Sequence, residues 1–175
     1  MSIVLDAMGS DRYPEPELEA AINASQILKE EIILVGNQDL IEPALAKMNK
    51  GTSQIRIVHA PDILNMDEHA VEATRQKPNN SMAIGIGLVR DGIARAFVTA
   101  GNTGGAYFNA VTQLRRIPGI SRPALTSVIP NKIGRTVFLD IGANADCRPE
   151  FMQEFAIMGS VYAEKVLGIN SPRIG

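Results

Sequence analysis

The chain has 175 residues, 45% of them hydrophobic, enough for a core that buries roughly 70% of the unfolded surface without a disulfide or metal staple. Its 17 Lys and Arg against 19 Asp and Glu leave a net charge of −2, and the basic residues are scattered, which argues against a nucleic-acid surface. One cysteine excludes an intramolecular disulfide, no secretory leader pattern opens the chain, and no apolar run nears the ~20 residues of a membrane span, so a cytoplasmic protein is expected.

Short β-branched runs at 3–5, 32–35, 55–59 and 96–99 read as strands. The first helix is predicted over 15–29, with Pro16 near its start and Leu18, Ala21, Ile22, Ser25 and Leu28 at helical spacing. Further helices are predicted over 39–48, with Asn37 as cap, over 81–90 and over 104–114. This alternation implies a largely parallel sheet covered by helices on both faces. After Pro118 the pattern changes: runs at 125–129 and 136–139 flank the turn-rich segment 130–135, a hairpin or sharp corner that predicts a mixed sheet. A long helix over 150–167 enters through Pro149 and stops at Gly168. Residues 171–175 read as the start of another strand, so a single α/β domain over 1–175, the N-terminal part of a longer protein, is the expected organisation.

The chemistry concentrates at strand ends. Residues 97–105 read F-V-T-A-G-N-T-G-G, an apolar strand emptying into a turn with Gly101, Gly104 and Gly105 before a helix. Several backbone N–H groups can converge there on a small oxyanion, joined by the Asn102 amide and the Thr103 hydroxyl. The ordinary alternative is a tight turn that caps a helix, and the spacing fits neither a P-loop nor a dinucleotide fingerprint. A second polar turn, 6–11, leaves the first strand, and the two should meet on the rim where open α/β sheets bind ligands. A third, 140–146, follows a strand whose direction the sequence leaves open.

Asp6, Asp11, Asp140 and Asp146 are candidate acid/base or metal groups, with turn and cap chemistry as the alternative. His59 and His69 lack ligand spacing, so no metal and no cofactor is expected. Lys77 and Ser81 suit a phosphate dianion, though Asn79-Asn80-Ser81 also reads as a helix cap. Arg75 and Arg122 are fork-shaped anion binders by chemistry, or surface arginines. Cys147, beside Arg148 and near a helix start, is a candidate nucleophile, but no histidine lies near it in sequence. Met152, Phe155, Met158 and Tyr162 form a helical stripe that reads as core or subunit interface.

Taken together, several segments resemble one family, the bacterial phosphate acyltransferases of phospholipid synthesis (PlsX family). They are L-D-A-M-G-S-D at 5–11, the M-x-E and A-x-R-x-K elements within 66–77, S-M-A-I-G at 81–85, F-V-T-A-G-N-T-G at 97–104, R-I-P-G-I-S-R-P-A-L at 116–125, L-D-I-G-A-N-A-D-C-R-P-E at 139–150, and F-A-I-M-G-S-V-Y-A-E-K-V-L-G at 155–168. Ser10 stands where the family usually has glycine, Asn80 where serine is common, and family members are about twice as long.

The resemblance implies a three-layer α/β/α sandwich similar to phosphotransacetylases and the isopropylmalate dehydrogenase group. It implies transfer of a fatty acyl group from acyl carrier protein to inorganic phosphate, the acyl phosphate then feeding a membrane glycerol-3-phosphate acyltransferase. It further implies a homodimer, peripheral at the cytosolic face of the membrane. Under this reading Asn102, Thr103, Gly101, Gly104 and Gly105 hold phosphate or the oxyanion, supported by Lys77 and Ser81, while Asp6 and Asn144 shape the pocket. Two other readings stand beside it: a small-acyl phosphotransacylase using acyl-CoA, and a truncated non-catalytic domain that dimerises or binds the carrier.

Overall fold

A computed structural model describes residues 2–48, 54–144 and 146–175. The backbone groups into two compact units, Met1–Arg115 and Arg116–Gly175.

The first unit is built on strands β1 (Ser2–Asp6), β2 (Ile32–Gly36), β3 (Ile55–His59) and β4 (Ala94–Val98), all parallel, in the order β3-β2-β1-β4. The central pairing aligns Ile3 with Ile32, Val4 with Ile33 and Leu5 with Leu34. Strand β2 is buried along its whole length, as an uninterrupted Ile-Ile-Leu-Val run requires when both faces of a sheet are covered.

Alternate residues feed two cores. Ile32 and Leu34 pack with Leu18 and Ala21 of helix α1 (Glu15–Leu28) and Ile41 of α2 (Gln38–Met48). Val4, Ile33 and Val35 face the other way, onto Ile84, Leu88 and Val89 of α4 (Ser81–Arg90). These are the layers of an α/β/α sandwich, and each fully buried Leu, Ile or Val stabilises it by about 1.5–3 kcal/mol. Helix α4 sits tight on the sheet: a Cβ on Gly85 would lie 2.4 Å from the Phe97 ring.

Two further helices complete the unit, α3 (Ala70–Gln76) and α5 (Thr103–Leu114). The sequence reading passes over α3, whose seven residues are too few to display a period before Lys77-Pro78 ends it. The chain steps from β1 outward to β2 and β3, then returns to place β4 on the opposite side of β1. The strand order therefore reverses between β1 and β4, the place where open α/β sheets form a crevice at their carboxyl ends.

In the second unit, β5 (Thr126–Asn131) and β6 (Gly134–Leu139) form an antiparallel hairpin, with Asn131 opposite Gly134 across a two-residue turn. This corrects the expected mixed sheet. The hairpin is a two-stranded sheet of its own, and the four-stranded sheet is wholly parallel. Helix α6 (Pro149–Leu167) packs on β6, and Gly159 admits the Leu139 side chain, whose Cδ1 would lie 3.3 Å from an added Cβ. The helix ends in the left-handed conformation at Gly168, φ 67°, which only glycine adopts without strain. Residues 171–175, expected to begin a strand, are irregular; a lone extended segment has no ladder to join among the described residues.

Candidate active site

The reversal point brings the loops after β1 and β4 into contact, backbone against backbone. A Cβ on Gly9 would lie 2.8 Å from the Gly101 nitrogen, and one on Gly101 would lie 3.1 Å from the Gly9 Cα. Only glycine at both positions permits that approach.

Thr99 joins the loops through its hydroxyl. Its Oγ1 accepts the Gly101 N–H at 2.9 Å and donates to Asp6 Oδ2 at 2.7 Å, while Asp6 Oδ1 accepts the Met8 N–H at 3.0 Å. Asp6 is fully buried. Burial pushes its carboxyl above the usual carboxylate range, outweighing the hydrogen bonds from Thr99, Ser81 and Met8, and the nearby Glu17 adds to the rise. Ser81 is also buried and turned toward Asp6.

Helix α5 starts at the same rim. Asn102 is its N-cap, Oδ1 accepting the Gly105 N–H at 3.0 Å. Its Nδ2 faces three carbonyls, those of Asn65 at 3.1 Å, Met66 at 3.3 Å and Glu68 at 3.1 Å. The amide thus caps the helix with one end and clamps segment 65–68 with the other. The N–H groups of Thr103 and Gly104, in the first turn, have no intrahelical acceptor, and both residues are exposed. Gly104 is also where α3 comes close: an added Cβ would lie 2.9 Å from Ala70 Cβ.

Lys77 lies beneath segment 65–68. Its Nζ donates to Glu68 Oε1 at 2.6 Å, Glu68 Oε2 at 2.7 Å and the Ile63 carbonyl at 2.8 Å. The ammonium holds Glu68 below the usual carboxylate range. Asn80 caps α4 by accepting the Ala83 N–H at 2.8 Å and donates to the Lys77 carbonyl at 2.7 Å. Arg75 is exposed in the last turn of α3.

Asn144 belongs to the second unit. There its N–H and Nδ2 donate to Asp140 Oδ2 at 2.7 and 3.0 Å, and Nδ2 reaches the Pro123 carbonyl at 3.2 Å. Burial pushes the Asp140 carboxyl up, but the donors from Leu125, Ala143 and Asn144 together hold it below the usual range.

Of the residues singled out from sequence, Asp6, Lys77, Ser81, Gly101, Asn102, Thr103, Gly104 and Gly105 gather around the carboxyl ends of β1 and β4 or the segments packed there. Within that group Thr103 and Gly104 are exposed residues whose N–H groups lack an intrahelical acceptor, whereas the Asn102 amide, the Ser81 hydroxyl and the Lys77 ammonium are engaged inside the fold. Thr99 and Glu68 are not among the site candidates read from the sequence, although both lie in the family segments, at 97–104 and in the M-x-E element. Thr99 has a local signal, since a threonine two residues before a glycine can accept that glycine's N–H in a side-chain turn. Glu68 has no local signal for its partner, which lies nine residues on, across α3.

An exposed first turn at a sheet crevice, in which the Asn102 cap takes only the Gly105 N–H, suits a small oxyanion: the N–H groups of Thr103 and Gly104, the positive end of a 12-residue helix and a hydroxyl on Thr103.

Known proteins share sequence and fold with this chain. A family model described as fatty acid synthesis protein matches residues 1–175. The chain is 47% identical over 174 residues to the phosphate acyltransferase of Acidobacterium capsulatum, an alignment covering 99% of this chain and 52% of that protein. It is 45% identical to the phosphate acyltransferase of Desulforamulus reducens, covering 100% and 52%. The chain thus spans about half the length of the curated relatives it matches. Among solved structures, a phosphotransacetylase from Streptococcus pyogenes superposes with a TM-score of 0.73 at 20% identity, covering 97% of this chain and 55% of that one. The EutD phosphotransacetylase from Staphylococcus aureus superposes with a TM-score of 0.66 at 21% identity, covering 93% and 52%; at these identities the likeness is one of fold. With the family matched from end to end and relatives at this identity, the chain belongs to the phosphate acyltransferase family of fatty acid synthesis proteins.

Proposed function

We propose that this chain is part of an acyltransferase that moves a fatty acyl group from acyl carrier protein to inorganic phosphate, giving acyl phosphate for phospholipid synthesis. The observation that carries the reading is the open pair of N–H groups on Thr103 and Gly104 at the point where the strand order reverses.

Phosphate at neutral pH is already an anionic nucleophile, so the reaction calls for positioning more than for a strong base. Held at the first turn of α5, a phosphate oxygen attacks the thioester carbonyl carbon. A C–O bond forms, the carbonyl oxygen takes up negative charge, and the intermediate collapses by breaking the C–S bond. Hydrogen phosphate supplies the proton that the departing carrier thiolate takes, so acyl phosphate and free carrier thiol form in equal amounts. Donors aimed at the developing oxyanion are worth about 3–4 kcal/mol each in comparable sites. Asp6, Thr99 and Asn102 act one layer below, fixing the two loops and the helix start.

Incubation with long-chain acyl carrier protein and inorganic phosphate tests the reading, following free thiol and acyl phosphate together. Their phosphate-dependent appearance in equal amounts supports it. Turnover with a short acyl-CoA but not with the acylated carrier would move the assignment to a phosphotransacylase, the activity named for the proteins that share the fold. Thiol release without acyl phosphate would reduce the activity to thioester hydrolysis and refute it.

A further inference from the structure

The second unit has a cavity of about 420 Å³ of its own, lined by Arg122, Asp146, Cys147, Arg148 and Phe151. That volume falls within the range of small-molecule sites, roughly 300–1,000 Å³. Its two guanidiniums are free to bind. Among the described residues neither Arg122 nor Arg148 has a carboxylate partner, whereas Arg56, Arg90 and Arg95 each do. Glu154 of α6 is engaged elsewhere: its carboxylate accepts from the Ser121 N–H at 2.8 Å, the Ser121 hydroxyl at 2.7 Å and the Arg122 backbone N–H at 3.3 Å.

The rest of the wall fits the same ligand. Arg122 lies over the Phe151 ring, 5.6 Å from its centroid, which places an aromatic surface beside a cation. Helix α6 begins here without a side-chain cap, adding the positive end of a 19-residue helix. The sign of the surroundings agrees: 116–175 carries seven Lys and Arg against five acids, while 1–115 carries ten against fourteen.

We infer that this cavity binds the phosphate group of an organic phosphate, the oxyanion on Arg122 and Arg148 and the organic part against Phe151. The cavity is larger than free phosphate needs, and a planar aromatic wall contributes nothing to an inorganic ion. Asp146 is the one acid among the lining residues, so the two arginines leave the wall net positive.

Cys147 supplies the test, because it is the only cysteine in the chain, is exposed and lines the cavity. The rate of its modification is measured with neutral iodoacetamide and with a dianionic aromatic disulfide, alone and with phenyl phosphate or inorganic phosphate. Both reagents follow the thiolate, so the ratio of their rates isolates attraction by the two arginines. That ratio is expected to fall roughly tenfold in Arg122→Gln/Arg148→Gln, with high salt having a similar effect on the parent protein.

Phenyl phosphate is expected to slow both reagents saturably on the parent and not on the double variant, and to do so at lower concentration than inorganic phosphate. Equal protection by the two would overturn the organic part of the assignment; no protection, or equal protection of the variant, would overturn the site. Both arginines are exposed, so the variant is expected to fold, and Arg122→Lys, which keeps the charge, should retain most of the rate ratio. The readout is thiol chemistry within 116–175 and is independent of acyl transfer.

Discussion

Replacing Asn102 separates a structural role from a catalytic one. Its amide makes four contacts: one accepts the Gly105 N–H, and the two Nδ2 hydrogens are shared among the carbonyls of Asn65, Met66 and Glu68. Loss of an N-cap costs about 1 kcal/mol, and each hydrogen bond left unmade at a buried site about the same. Asn102→Ala should therefore cost about 3 kcal/mol. For a 175-residue chain that is a fall in melting temperature of roughly 6–12 °C.

Asn102→Ser separates the two halves, since a serine hydroxyl caps a helix well but is too short to reach segment 65–68. It should recover about 1 kcal/mol of the loss. Thermal unfolding followed by circular dichroism gives the order parent, Ser, Ala. The reasoning fails if Ala melts with the parent, in which case the cap and clamp carry no energy, or if Ser does, in which case the clamp alone carries none. A fall in turnover for Asn102→Ala has to be read against this loss of order at the start of α5 before any of it is assigned to oxyanion stabilisation.

Three further outcomes follow from the packing and the charges. Gly9→Ala puts a methyl 2.8 Å from the Gly101 nitrogen and 3.1 Å from the Ala100 nitrogen, both backbone atoms, so it should cost about 1–3 kcal/mol in urea unfolding and weaken phosphate binding. Unchanged stability and binding would mean that the two loops move apart freely. Leu34→Ala, in a strand with no exposed residue, should cost about 2–5 kcal/mol by the same assay, and a loss under 1 kcal/mol would contradict the two-faced core. The third outcome concerns pH. Burial raises the Asp6 pKa above its ordinary value of 3.8, so the folded chain holds that proton more tightly than the unfolded chain. The stability attached to it is fully present below pH 3.8 and is lost as pH rises through the raised value. Asp6→Asn removes this titration, and its unfolding midpoint relative to the parent should climb with pH across that window; a constant difference would place the Asp6 pKa at its ordinary value.

The strands were legible where burial demands β-branched residues, as at 32–35, and less so where it does not. Strand β4 begins at Ala94, ahead of the predicted 96, because pairing of Ser2 with Ala94 extends it through residues without strand character. The hairpin was legible from its turn, but no local pattern says which sheet a hairpin joins. The site divides in the same way. The glycine turn announces itself because glycine marks unusual backbone, whereas the work of the Asn102 amide depends on carbonyls more than 30 residues earlier. Likewise Lys77 reads as a free cation until Glu68 is seen beside it.

Titration of the 15N-labelled chain with inorganic phosphate, read residue by residue from the amide shifts, tests the central claim most directly. The account expects the Thr103 and Gly104 amides to move together and saturably, with smaller changes at Gly101 and Gly105 in the same turn. Phosphate binding that leaves Thr103 and Gly104 unmoved would contradict the assignment of the first turn of α5 as the oxyanion site.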